Sequence, residues 1–308
     1  MDRRTLGTID GLIGVAIFSG SIVGTRLTVI DLEPIFSAHA RGLGGAVIGI
    51  AALIATRAPL PRRCELPSLV VVALTTVIGF PVLAAFALTE IGAARATLYM
   101  GLIPLVTAIC GAVRIAGARP RPSFWLFAAL GSLVVAVWSW DARASGSLFG
   151  DGAILASVVC SGIGYAEGAR LTPRLGGWQV ISWALVIALP ITLPVTVVGW
   201  PDWSRVGWGA IGGLAYIAAF SMWLGFLFWY RGLARGGIAA VSQLQLLQPF
   251  LGLALASLVL GERIGLGLVT ATSAVVLCIL GARRSAAPSN PAAPRPFTTP
   301  PLGTCHRT

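Results

Sequence analysis

Ala87-Leu88-Thr89-Glu90-Ile91-Gly92 and Gly232-Leu233-Ala234-Arg235-Gly236-Gly237 occupy matching places in the chain, because the interval from Leu88 to Pro104 equals that from Leu233 to Pro249. Each Pro opens an apolar run ending in Gly-x-Arg: Gly117-Ala118-Arg119, reached one residue late, and Gly261-Glu262-Arg263. Upstream, Asp10-Gly11 is echoed by Asp151-Gly152, and Ser19-Gly20 by Ser161-Gly162. A single match in so Ala-, Gly- and Leu-rich a chain would be coincidence. Four in one order indicate a duplicated unit.

The composition says where that unit lives. The 308 residues are 56% hydrophobic and only 11% charged, with a mean hydropathy of +0.86. A soluble domain carries about 25% charged residues to wet its surface. A cytosolic enzyme, a nucleic-acid-binding domain and a disordered protein are excluded, and an integral membrane protein is indicated. Long charge-free stretches run 11–25, 42–56, 66–89, 96–113, 122–140, 152–166, 175–201, 206–230, 236–261 and 264–282. A spanning helix needs about 20 apolar residues, so the three shortest must borrow from their flanks. The expected fold is therefore all-α, with ten transmembrane helices and no soluble domain between them. Residues 1–145 form one five-helix repeat and 146–284 the second. Five is odd, so the second copy enters the membrane upside down, an arrangement recurrent in secondary transporters that hold solute at the repeat interface. Residues 285–308 are too Pro-rich to fold and read as a disordered cytoplasmic tail. The first helix lacks an Ala-x-Ala cleavage site and reads as a span and not a signal peptide.

All 22 basic residues are Arg. With the N-terminus in the cytoplasm, 16 fall in inner segments and five in outer ones (Arg26, Arg95, Arg143, Arg205, Arg263), with Arg41 inside a helix. This positive-inside asymmetry places both termini in the cytoplasm of a cell-membrane protein. It also makes the net charge of +11 topogenic, with no nucleic-acid partner implied. The five cysteines have no paired spacing, so neither disulfides nor a metal site is expected. Nothing in the sequence asks for a cofactor.

Leu233-Ala-Arg-Gly-Gly-Ile-Ala-Ala-Val-Ser-Gln-Leu-Gln-Leu-Leu-Gln-Pro249, continuing to Leu260-Gly-Glu-Arg263, resembles the "AL…A…S…PV…LGE" signature of the drug/metabolite transporter superfamily. The resemblance is to its ten-helix EamA-type members. It covers about residues 9–282, with Ala94–Pro104 as the first-half counterpart. Arg41 falls where that family often has an Arg in its second helix. The first half departs at Ala118, where the family has Glu, and at Arg114, which interrupts an apolar run. The resemblance implies transport of a small metabolite or drug and names no substrate.

Ionisable groups at bilayer depth are costly and point to function. Arg41 lies two turns past Pro34, about 10 Å along a helix. It can meet a substrate carboxylate or phosphate, or it can snorkel as a structural anchor. His39 lies on another face and reads as a packing residue. Ser242, Gln243, Gln245 and Gln248 precede Pro249, and Ser242, Gln245 and Pro249 share a helix face. Pro249 leaves the Gln245 carbonyl without its helical donor, and Pro104 does the same in the first half. This segment is expected to kink and to line a cavity with Ser242, Gln245 and Gln248, although interhelical hydrogen bonding would also use the amides. The first-half equivalents are Thr97, Leu98, Met100 and Ile103, with Tyr99 between them. That wall is more apolar and suits an amphipathic solute.

Glu90 and Glu167 stand near expected helix ends and read as solvated boundary residues, with proton sites as the alternative, and Glu262-Arg263 reads as a helix-end device. Trp125, Trp138, Trp140, Trp178, Trp200, Trp203 and Trp208 read as an interfacial belt, while one of Trp183, Trp223 and Trp229 could face the cavity. An intramembrane protease would need a buried nucleophile with a base, or two membrane Asp, and no Asp falls inside an expected span. No metalloprotease His-Glu-x-x-His and no phosphate loop occurs. The expectation is a secondary exporter of a small metabolite, such as an amino acid, or of a drug-like amphiphile. Uniport and proton exchange are both left open, as is the oligomeric state. A scaffold or assembly subunit is the other class.

Overall fold

The computed structural model describes residues 3–114, 122–141, 147–236 and 242–285. The expected tail from 286 onward, with Ala118 and Arg119, lies outside them.

Among the described residues every regular element is a helix, and short irregular segments join them. The first half gives α1 (Arg3–Asp31), α2 (Pro34–Ala55), α3 (Leu66–Glu90), α4 (Ala93–Met100), α5 (Ile103–Arg114) and α6 (Pro122–Asp141). The second gives α7 (Leu148–Leu175), α8 (Gly177–Val198), α9 (208–236), a 3-10 segment (Ser242–Leu247), α10 (Gln248–Leu260) and α11 (Leu266–Ser285). Six helices are long and apolar enough to cross a membrane: α1, α2, α3, α7, α8 and α9. With the apolar outer surface of the bundle they make this a multi-pass, all-α membrane protein. Val198, Leu258 and Leu266 on that surface are more than four-fifths exposed, where only lipid tails accept them without cost. Trp200 and Trp208 are likewise exposed at helix ends.

Helix ends follow the sequence. Pro34 begins α2 at a position whose amide would be unsatisfied anyway. Ser147 caps α7 by accepting from the Gly150 amide, with Asp151 in the first turn where the helix dipole favours a negative charge. Gly261 ends α10 at φ 67°. That left-handed conformation is open to glycine.

Two pairs of features recur between the halves. α3 and α9 each contain a π-helical stretch, Ala73–Gly79 and Tyr216–Leu224. The fourth segment of each half is interrupted: α4 stops at Met100 and α5 resumes at Ile103, while the 3-10 segment gives way to α10 at Gln248. Pro104 and Pro249 thus sit just inside a fresh helix start, where a missing amide is tolerated. The contacts are reciprocal as well. α1 packs on α9 and α10, and α7 packs on α3 and α5. α2 faces α8, α4 faces α10 and α6 faces α11.

Glycine sets the closest approaches. A Cβ on Gly45 of α2 would lie 2.8 Å from the Met222 side chain, and one on Gly164 of α7 would collide with the Thr76 hydroxyl. Small residues at these crossings let helices pack through van der Waals contact, the main source of association in lipid. Both crossings involve a π stretch, and both frame the centre of the bundle. Two apolar clusters fill the rest. One joins Val15 and Phe18 to α8, α9 and the first part of α3. The other joins Ile22 and Val23 to the end of α3, α4, α5, α10 and α11.

Candidate functional site

Where the two clusters meet lies a central cavity. Its wall takes Phe18, Ser21 and Ile22 from α1, Arg41 from α2, and Thr76 and Phe80 from α3. Met100 and Ile103 flank the first-half break, Gln248 stands at the second, and α7 and α9 add Ser161, Tyr165, Ser221 and Phe226. Its volume is about 20 Å³. That is enough for water but not for a metabolite. In this conformation the centre is closed down.

Arg41 dominates it. The residue is 3% exposed, yet among the described residues it makes no ion pair. One guanidinium nitrogen donates to Ser221 Oγ at 3.0 Å, and that hydroxyl donates in turn to Ser21 Oγ at 2.9 Å. The guanidinium carbon stands 5.5 Å from the centre of the Phe80 ring. That is within cation–π range. Nε has no partner. The local sequence explains how Arg41 arrives there. Gly44 and Gly45, one turn on, let α2 lie against Ala218 and Met222, and this brings Arg41 to Ser221 in the same π stretch. π-Bulges recur at functional sites because the extra residue re-aims side chains.

Of the residues expected at the site, Arg41 and Gln248 reach the cavity wall together. Gln245 is buried, its Nε2 without a partner, but it does not line that wall. Tyr99 is buried in the apolar cluster and hydrogen-bonds with Arg95. The side chains of Ser242 and Pro104 lie outside the described residues. In the 3-10 segment residues three apart eclipse, so positions 242, 245 and 248 fall in one row and the α-helical face with Pro249 does not exist. His39 is buried, with Nδ1 unpartnered, and does not line the cavity. Nor do Trp183, Trp223 and Trp229.

Two expectations for acidic residues are corrected. Glu167 is 2% exposed and not solvated, because α7 continues past it to Leu175 and buries it beside Arg170, whose Nε is 3.7 Å away. Asp10 does fall inside a long helix, 4% exposed.

Asp10 belongs to the strongest polar feature outside the cavity. Arg231 donates to both of its carboxylate oxygens, at 3.0 and 2.5 Å, and Arg235 adds a third bond at 3.1 Å. Asp151, its sequence echo, receives a bidentate pair from Arg95 at 2.8 and 2.5 Å. Each pair joins one half to the other. Both fork geometries are the strong, oriented kind. They lie at opposite ends of the bundle: Asp10 is near the start of α1, whereas Arg26, toward its other end, donates to the Leu88 carbonyl beside the Asp151 pair. The stretch of α1 from Asp10 to Arg26 is about 24 Å long. At the Asp151 end Glu262 also accepts from the Ala93 and Ala94 amides, 2.8 Å each, capping α4 from the other half. The repeated Asp-Gly was the signal that could have found these pairs. The neutral liners Ser21, Thr76 and Ser221 carried none.

The sequence matches the EamA-like transporter family twice, over residues 5–140 and 148–283. It is 51% identical over 287 residues to a Bacillus subtilis (strain 168) protein described as "Uncharacterized transporter YdeK", covering 93% of this chain and all of that one. A protein of known crystal structure, 21% identical, shares the fold at a TM-score of 0.64 over 92% of this chain and 98% of its own. The chain belongs to the EamA-like transporter family and is a multi-pass membrane transporter.

Proposed function

We propose that the protein is a secondary exporter that carries a small organic metabolite or drug-like amphiphile through the central cavity by alternating access. The observation that carries this reading is Arg41: a cation buried two turns into α2 on the wall of a cavity, met there by a serine hydroxyl and the Phe80 ring and, among the described residues, by no acid. A charge at membrane depth costs about 2.5–3.5 kcal/mol even on the most lenient scale. A structural anchor would be expected to snorkel to the boundary or to bond helix-end carbonyls. Arg41 is enclosed, and its hydrogen bond goes to Ser221.

The two halves act as inverted five-helix repeats, 1–145 and 146–284. Support comes from the twofold family match, the π stretch in each third helix and the reciprocal helix contacts. The Asp10 and Asp151 ion pairs are the latches at the two ends. With both fastened and the cavity contracted, this conformation is the occluded intermediate between two open ones. Rocking one repeat against the other releases one latch at a time. The Arg distribution supports a cytoplasmic Asp10 end, with both termini inside the cell membrane.

Metabolites released by cells with and without the protein should differ in a small set of solutes, and vesicles holding purified protein should move at least one of them. If they move none, a scaffold role replaces transport. Reporter fusions after Arg143 and after Arg284 should read outside and inside respectively. Both on one side would break the inverted arrangement.

A further inference from the structure

The wall of the cavity specifies the charge of its solute more closely than the family does. Among the described residues Arg41 is the only charged group in it, and no Asp or Glu lines it. Glu167, on the same helix as Tyr165, is buried beside Arg170 and outside the wall. The remaining polar groups are the neutral Ser21, Thr76, Ser161, Ser221, Gln248 and the phenol of Tyr165. The rest is aromatic and aliphatic: Phe18, Phe80, Phe226, Ile22, Met100 and Ile103.

From this we infer that the transported solute is an organic monoanion, a carboxylate on an apolar and preferably aromatic body, and that zwitterionic amino acids are discriminated against. The inference rests on the transport reading of the cavity. A planar guanidinium takes a carboxylate through two parallel bonds. The unpartnered Nε together with the nitrogen now held by Ser221 supplies the donors. Ser221 and Ser21 then serve as the placeholder partners of the solute-free cation. An α-ammonium bound beside such a carboxylate would sit in the same low-dielectric space as Arg41 with no acid to answer it. Like charges so placed repel strongly. A phosphate monoester fails on the opposite count, because it carries about −1.5 to −2 at neutral pH and would leave charge uncompensated against one Arg. Phe18, Phe80 and Phe226 give the uncharged end of the solute its contact surface.

The test uses full-length protein purified in detergent and two matched sets of probes. One set is 3-phenylpropionate, phenylalanine and phenethylamine, which share a body and differ only in carrying carboxylate, both groups or ammonium. The other is hexanoate, norleucine and pentylamine. Thermal unfolding with increasing probe should show the two carboxylates binding at least about tenfold more tightly than their amino acids, with the amines not binding. The aromatic acid should bind more tightly than the aliphatic one. Arg41→Gln should abolish the difference between acid and amino acid. Equal or tighter binding of the amino acids, or no stabilisation by either carboxylate, overturns the inference. Wild-type protein alone decides this, so an Arg41→Gln protein that failed to fold would not rescue it. If the amino acids win and vesicles still transport, the charge assignment falls while the transporter reading stands.

Discussion

At the Asp151 end of the bundle, Arg95 and Asp151 keep only 7% and 11% of their side-chain surface in contact with solvent, and Glu262 ties the start of α4 to the other half through two further bonds. At the Asp10 end the carboxylate is equally enclosed, at 6%, but its partners Arg231 and Arg235 are 41% and 40% exposed. The sequence adds to the asymmetry, since Ala118 stands where Glu262 has its first-half counterpart. The difference is one of energy. Removing one member of an enclosed pair strands a charge and costs about 3–5 kcal/mol. An arginine already two-fifths in water rehydrates readily, so its pairing is worth roughly 1 kcal/mol. The Asp10 end should therefore open more easily, and at rest the protein should favour conformations closed at the Asp151 end.

The largest effect is expected from Asp151→Asn, which leaves Arg95 enclosed without its carboxylate. With Met100→Cys placed in a background lacking the native cysteines, a membrane-impermeant maleimide applied from the Asp151 side should label the cavity about a hundredfold faster. No acceleration would mean that Glu262 and packing hold that end without the ion pair. Asp10→Asn should speed labelling from the opposite side by only about two- to fivefold, because Arg231 and Arg235 turn to water. Raising the salt concentration should mimic part of the Asp10→Asn effect and leave the enclosed pair unmoved. If Asp10→Asn gave the greater acceleration, the asymmetry would be reversed.

Much of this was legible in the sequence. Counting charge-free stretches found the six long apolar helices, because in lipid each backbone group must be satisfied within its own helix. Arg41 announced itself because few arginines lie that far from a boundary. The ion pairs were harder to see. Asp10 and Asp151 sit one or two turns inside their helices, where a charge is ordinarily read as solvated, and their partners are 221 and 56 residues away. Glu167 hides for the same reason. The neutral liners were invisible because Ser and Thr are ordinary in membrane helices. Thr28 and Thr107, for instance, satisfy themselves by donating to carbonyls one turn back. The π stretches and the 3-10 segment before Pro249 depend on long-range packing, and the 3-10 winding is what removed the α-helical face expected to join Ser242 and Gln245 to Pro249.

The transport reading depends on Arg41 contacting the solute and not merely propping the helices apart. Arg41→Lys retains the charge and most of the length while losing the planar fork. Initial transport rates in vesicles, normalised to folded protein from its size-exclusion yield, separate the two roles. The rate per folded molecule should fall at least about tenfold with the yield nearly unchanged, since a bidentate carboxylate contact is lost and little packing is disturbed. An unchanged rate per folded molecule, or a loss of folded protein with the rate intact, would contradict a solute-binding Arg41.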